Sequence, residues 1–522
     1  MTANYANILK FDRYIWAVLV LIGMCLVFFR ISYGSIWEDE AFTMAVSRRT
    51  IADLLRMLGG DDSSPPLYYL GLKLFTALFG QTRAAYRIFS AFGLLSASLL
   101  LGYFPVSRIF NQRVGQIFAF LALFSSMNLT FAQEIRMYSW ALFFMTACGS
   151  WGYLYVRDGK WRDLILFGLA SLGGVYTHYY VTLGVFFVHL YLLWWIIAAR
   201  RSRLKFFMGE VAVVVLLFLP WFFATFITQV VRHIGYFWIQ KPTLETLVGV
   251  FVIPFSVKTG SMGYATYLAV FLFVLYGYGI YSAFKYSDNP IFLTMVAGVF
   301  FSVLTVMLVV SLTLRPLLVP RYMMSLWGLI FVGVAWGVSV VMRWKPPLGV
   351  VAGSSILGLY VLLAIPCLQL HYFFQLNGPM DEIRVFSKDY FHKNQAFVYF
   401  DATTAPCFIV EYPEFQHFVL HTSTSKLDDS FRVFGDKVRV ISDLRQIPST
   451  YDQLWLASTP DSPNGQEYNE TARNFGVDPG NLIKWEEGVG LPVGGTIPQR
   501  GGIRFTALYS DFIVDLVPVK RR

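Results

Sequence analysis

The sequence predicts a polytopic α-helical membrane protein of about eleven spans, followed by a C-terminal soluble α/β domain. Three observations predict it. Apolar residues fill 56% of the 522 positions and charged residues only 14%, whereas soluble proteins average about 25% charged. Apolar runs of membrane-spanning length recur through residues 1–371 and then stop. The charge balance changes at the same place: residues 1–371 carry 27 Lys and Arg against 13 Asp and Glu, and residues 372–522 carry 15 against 19. So much apolar surface excludes a disordered chain, and four cysteines exclude a disulfide scaffold. The net charge of +10 does not point to nucleic acid, because the cations flank apolar runs, as membrane topology requires.

The apolar runs lie near 14–33, 86–106, 114–131, 137–156, 162–178, 180–199, 206–228, 264–284, 291–313, 321–342 and 348–370. The first lacks a small-residue cleavage site and reads as a retained helix rather than a signal peptide. Leu67–Phe79 is too short to cross and reads as an interfacial or re-entrant helix. With the N-terminus inside, the inner loops hold Lys10 and Arg13, Arg108 and Arg113, Arg157 to Arg162, the cluster Arg200, Arg201, Arg203 and Lys205, then Lys285, Arg343 and Lys345. That is the positive-inside pattern. It leaves the loops 34–66 and 229–263, QEIRMYS at 133–139, THYY at 177–180, PRY at 320–322 and the C-terminal domain on the outer face. Domain boundaries follow: 1–371 as the membrane domain with both long outer loops, and 372–522 as an extracytoplasmic domain.

In that last domain, MDEIRVFSKDYF reads as an amphipathic helix. QAFVYFDA, FQHFVLHT, KVRVISD and YDQLWLAST read as strands, EYNETARNFGV as a helix, and IRFTALYS with FIVDLVPV as a closing hairpin. Cys25, Cys148 and Cys367 lie in apolar runs as packing residues, and Cys407 has no disulfide partner within its domain.

The candidate chemistry begins at Trp37-Glu38-Asp39-Glu40, just after the first run. Adjacent carboxylates repel, which can raise a pKa, or converge on a cation. Asp61-Asp62-Ser63-Ser64-Pro65-Pro66 closes the same loop, and Pro-Pro fixes the chain as it re-enters the bilayer. Arg87, Arg136 and Arg321 stand at outward span ends, where they either snorkel to head groups or bind an anion. His178 sits among tyrosines at another such end. His189 is mid-span and reads as structural, and Glu210 has Lys205 or Arg203 as candidate partners. Trp37, Tyr68 and Tyr69 could stack on a sugar or an isoprenoid chain.

Taken together, WEDEAFT, DDSSPPLYY, FGQTRAAYRIFSA, QEIRMYS, THYY and PRY, in this order over residues 10–345, resemble the polyprenyl-phosphate-sugar-dependent membrane glycosyltransferases. That GT-C group includes protein O-mannosyltransferases and the aminoarabinose transferase of lipid A. The resemblance implies an inverting transferase in the bacterial cytoplasmic membrane, moving a sugar from a polyprenyl-phosphate donor to a lipid, glycan or protein acceptor. It implies Asp39 as general base with Glu40 beside it on substrate or metal, Asp62 as a positioning acid, and Arg136 and Arg321 on the donor phosphate. Arg87 would support the outer loop, and Tyr138, His178 and Tyr322 would line the substrate site. Ser64 stands where many members carry His, so no cofactor is assigned and a divalent metal stays open. A lipid-carrier or sugar transporter is the alternative, but transporters place ionisable residues at the bilayer midplane, whereas the acids here cluster in outer loops.

Overall fold

The computed structural model describes residues 2–60, 64–226, 239–256, 262–286, 289–345, 347–373, 379–400, 404–420, 431–458, 473, 482–484, 502–506 and 513–520. In chain order the helices are α1 (Thr2–Phe28), α2 (Glu38–Arg48), α3 (Ile51–Gly60), α4 (Leu67–Phe79) and α5 (Arg83–Ile109), the last containing two π-helical turns. Then come α6 (Gln112–Phe124), α7 (Ser126–Ala132), α8 (Tyr138–Asp158), α9 (Trp161–Val175), α10 (Tyr179–Ala199) and α11 (Arg201–Thr225). They continue with α12 (Leu244–Val252), α13 (Met262–Tyr286), α14 (Pro290–Thr313), α15 (Pro320–Arg343), α16 (Leu348–Phe373), α17 (Met380–Tyr390) and α18 (Thr404–Glu411). Contacts divide the chain into two compact units, Met1–Ser32 with Leu58–Gln369 and Tyr33–Met57 with Leu370–Arg522. Residues 33–57 therefore group with the C-terminal unit, not with the membrane bundle as the sequence boundaries had it.

Within the described residues each of the eleven apolar runs is mainly helical, but fewer have the length and apolarity that crossing requires. Among the described residues, seven helices are long and apolar enough, or eight if α6 and α7 form one broken span. The expected eleven is thus not confirmed among the described residues. The physical reasons are local. α9 has only 15 residues. α8 is rich in small and polar residues, most of them buried against neighbouring helices. The run at 114–131 bends by 70° between α6 and α7, at Ser125, whose hydroxyl donates to the carbonyl of Pro254.

In the first unit α15 is the central helix, buried from Met323 to Ser339. It approaches α13 closely: a Cβ at Gly337 would collide with the backbone carbonyl of Leu275. Two sets of polar contacts tie the bundle at opposite ends. At one end, Arg108 clamps both oxygens of Asp163 at 2.8 Å and reaches Asp158 at 3.1 Å. Arg157 donates to the carbonyls of Arg108 and Ile109. Arg203 caps Tyr155, and Asn289 joins Ile109 to Tyr153. These are the ends or starts of α5, α8, α9, α11 and α14, so the basic loops read from the sequence share one end.

The other end gathers the last residues of α1 and the starts of α5, α8, α10 and α15. Gln133 Nε2 donates to the carbonyls of Val27 and Phe29 at 2.9 Å each, and Arg87 Nη1 to that of Ile31 at 3.2 Å. α4 begins here, with Leu67 N–H donating to the carbonyl of Tyr176 at 2.9 Å. It also finishes here, because Gly80, at φ +90°, turns the chain into α5, whose Arg83 reaches Ser32. Tyr68 and Phe75, two turns apart on α4, both touch the ring of Phe89. Phe75 also touches Phe92, so α4 packs on the first half of α5 through these rings.

In the second unit, among the described residues, seven strands form one sheet. They are β1 (Gln395–Tyr399), β2 (Gln416–Leu420), β3 (Val438–Ile441), β4 (Gln453–Ser458), β5 (Leu482–Lys484), β6 (Gly502–Thr506) and β7 (Ile513–Lys520), in the order β3-β2-β1-β4-β7-β6-β5. The four strands β3-β2-β1-β4 are parallel, and β7 is antiparallel to both β4 and β6. Ala396, Val398, Phe418, Leu454 and Leu456 build one core face. β1 to β4, β6, β7 and the amphipathic helix α17 fall on the segments the sequence marked, whereas β5 and α18 were not foreseen; the EYNETARNFGV helix lies outside the described residues apart from Arg473. Cys148, Cys367 and Cys407 are buried, whereas Cys25 faces outward on α1.

Candidate active site

The first-loop acids start α2, in the second unit. Trp37 is the N-cap, and its N–H donates to Glu40 Oε2 at 3.4 Å. That bond satisfies one of the open donors of a helix start. It also gives Glu40 a job in the fold: its side chain is fully buried, while Glu38 is exposed and Asp39 half-buried between them. Three carboxylates in a first turn are favoured by the helix dipole. The helix is anchored to its own unit by Arg49 Nε donating to the carbonyl of Val433 at 2.8 Å and by Asp381 N–H donating to Ser35 Oγ. Asp62 lies outside the described residues.

The first unit brings together five of the sequence candidates at the end opposite the basic loops. Segment 133–137, between α7 and α8, is buried throughout, including Gln133, Glu134 and Arg136. Its position is set by a relay: the hydroxyls of Tyr68 and Ser90 meet at 2.7 Å, and Ser90 donates to the carbonyl of Arg136 at 3.3 Å. Tyr138 stacks on Tyr322 with ring centroids 6.2 Å apart, and the His178 ring stands 6.0 Å from Tyr138 and 5.1 Å from Tyr322. Arg321 covers Tyr322 at 5.5 Å. Tyr180 closes the group, 5.3 Å from Tyr322, with its hydroxyl bonded to the carbonyl of Leu317.

His178 reports the electrostatics. It caps α10, and its Nδ1 accepts from the N–H of Tyr180 at 3.2 Å, so the proton sits on Nε2. Burial, and then the positive charges of Arg136 and Arg321, hold its pKa below the ordinary histidine value. Both arginines therefore act on one imidazole, although 185 positions separate them. Snorkelling into lipid would have spread them apart. Two guanidinium groups, a neutral histidine N–H donor and two tyrosines make a site suited to a phosphate.

Other candidates fall elsewhere. Arg87 is 2% exposed and holds the end of the first span. Tyr68 and Tyr69 are buried by protein, not open for stacking. Glu210 pairs with His189 at 3.0 Å instead of with Lys205 or Arg203. Sequence reasoning missed Ser90 and Tyr180 as positioning groups, and Glu134 as a buried carboxylate beside Arg136. Among the described residues no three His, Cys, Asp or Glu side chains converge as a metal site.

The bundle of long apolar helices with the separate sheet unit defines a polytopic membrane protein. Residues 63–223 match the family model of dolichyl-phosphate-mannose-protein mannosyltransferase. Two crystal structures of ArnT from Cupriavidus metallidurans share the fold. The one bound to undecaprenyl phosphate has a TM-score of 0.60 at 10% identity, over 97% of this chain and 98% of that one. The apo structure has a TM-score of 0.55 at 12% identity, over 85% and 93%. A search of curated proteins finds no match.

Proposed function

We propose that this chain is a membrane glycosyltransferase that moves a sugar from a polyprenyl-phosphate donor to a lipid, glycan or protein acceptor. The observation that carries the proposal is the meeting of Arg136 and Arg321 on His178, Tyr138 and Tyr322, in a fold shared with a protein crystallised with undecaprenyl phosphate. In the reaction, the acceptor hydroxyl attacks the anomeric carbon from the face opposite the phosphate. Asp39 takes the hydroxyl proton, and the C–O bond to phosphate breaks with inversion. The leaving phosphate gathers negative charge, which the guanidinium groups stabilise. His178 donates through Nε2–H. Glu40 holds the start of the helix that carries Asp39, Asp62 serves as a positioning acid, and Arg87 fixes the end of the first span.

We further propose that the site faces outward in a bacterial cytoplasmic membrane with the sheet unit on the same side. The arginine-rich end that ties α5, α8, α9 and α11 supports this orientation. The test is the full chain in proteoliposomes given a polyprenyl-phosphate-linked radiolabelled sugar. Release of polyprenyl phosphate together with a labelled acceptor is expected. Movement of intact donor between leaflets without cleavage would instead identify a transporter.

A further inference from the structure

A groove in the first unit, far along the bundle from the arginine–tyrosine cluster, has a cavity volume of about 540 Å³ between α5, α8 and α9. Binding clefts span roughly 300–1,000 Å³. Its walls are apolar, among them Leu100, Phe104, Phe144 and Leu169, and Leu100, Phe104 and Leu169 are exposed. Two π-helical turns, Ser96–Leu100 and Gly102–Val106, shape the α5 wall. Such turns recur at functional positions. The second surrounds Pro105, which has no N–H for the regular ladder.

One end of the groove is cationic. Arg108 and Arg162 both line it and both lie over the ring of Trp151, at 5.6 and 5.9 Å. Around it Arg108, Arg157, Lys160 and Arg162 face two carboxylates, Asp158 and Asp163. The two acids are already held by Arg108 and Arg157, at 2.7 to 3.1 Å. The rim thus carries two positive charges in excess, and Arg162 is its exposed guanidinium: its Nε pairs at 3.5 Å with Asp163, which Arg108 already clamps, and its side chain is 64% exposed. An apolar slot ending in a tryptophan and an exposed guanidinium on a rim of net positive charge matches an amphiphile with a long chain and an anionic head.

We propose that this groove is a binding site for one anionic phospholipid, its acyl chain along Leu100, Phe104 and Leu169 and its phosphate against Arg162. Native mass spectrometry of the full chain, titrated separately with phosphatidylglycerol and phosphatidylcholine, tests it. Wild type should retain one phosphatidylglycerol with about fivefold preference, the effect of one basic side chain near a charged lipid. Arg162→Gln should abolish the preference and Arg162→Lys should keep most of it. Leu169→Trp, which fills the slot, should weaken retention of both lipids. Unfolding temperatures in lipid-free detergent show whether each variant is folded. Equal retention of the two lipids by wild type overturns the proposal, as does retention unchanged in both Arg162→Gln and Leu169→Trp. Displacement of phosphatidylglycerol by polyprenyl phosphate from wild type but not from Leu169→Trp would show that the groove has a different occupant.

Discussion

Individual side chains divide into those whose role follows from sequence and those that only packing reveals. Arg136, Tyr138, His178, Arg321 and Tyr322 stood out in the sequence through the motifs QEIRMYS, THYY and PRY and the resemblance they carry, since a polar group at a span end can also simply snorkel. Ser90 was not legible: a serine inside an apolar run looks the same whether it bonds its own helix or holds Arg136. Replacing either arginine by Gln should lower kcat/KM for the lipid donor by roughly 10–100-fold, since hydrogen bonds to charged groups contribute about 1.5–3 kcal/mol. Steady-state kinetics with varied donor would measure this. A second prediction concerns His417, fully buried in the sheet unit. Its Nδ1 accepts from the hydroxyl of Tyr399 at 2.8 Å and its Nε2–H donates to the carbonyl of Tyr412 at 2.9 Å. Burial pushes its pKa down to about 4, below the unfolded value of about 6.5. The unfolded chain then binds a proton that the folded chain refuses. Stability is complete above pH ~6.5 and falls as pH drops towards 4, by up to a few kcal/mol. Thermal unfolding at pH 7 and pH 5 should show the drop, and His417→Gln should flatten it.

Elements were readable where one physical signal dominates. The length of Leu67–Phe79 and the two prolines before it marked a short helix, and α4 has those bounds. β1, β2 and β4 were readable as short apolar runs, which strands buried on both faces of a parallel sheet require, while the three-residue β5 gave no such signal. The break at Ser125 was not readable, since its partner carbonyl at Pro254 lies 129 positions away. The π-turns of α5 were hidden because apolarity there has no gap. The close approach of α13 and α15 gives a prediction at this scale. Gly337→Ala should separate the two helices at Leu275 and destabilise the bundle by about 1–3 kcal/mol, the usual cost of overpacking. A lower midpoint in thermal unfolding should show it, while Gly358→Ala, where no atom lies within 4 Å of the new Cβ, should leave the midpoint within experimental error.

At the scale of the whole molecule, charge and hydropathy located the membrane domain, but not the company kept by residues 33–57. That assignment depends on contacts such as Arg49 to Val433, between residues 384 positions apart, which no local pattern encodes. The orientation predicts that Ser442→Cys, in the sheet unit, is labelled from outside intact cells and Ser202→Cys is not, in a background with Cys25→Ser. The reverse would invert the topology. The most direct test of the transferase account is the turnover of Asp39→Asn, measured beside donor binding with the same polyprenyl-phosphate-linked sugar. Loss of a general base costs roughly 10²–10⁴ in rate, and the guanidinium groups that hold the phosphate are untouched. The account predicts a folded protein that binds donor as wild type does and transfers at least about 100-fold more slowly. Transfer at the wild-type rate would contradict it.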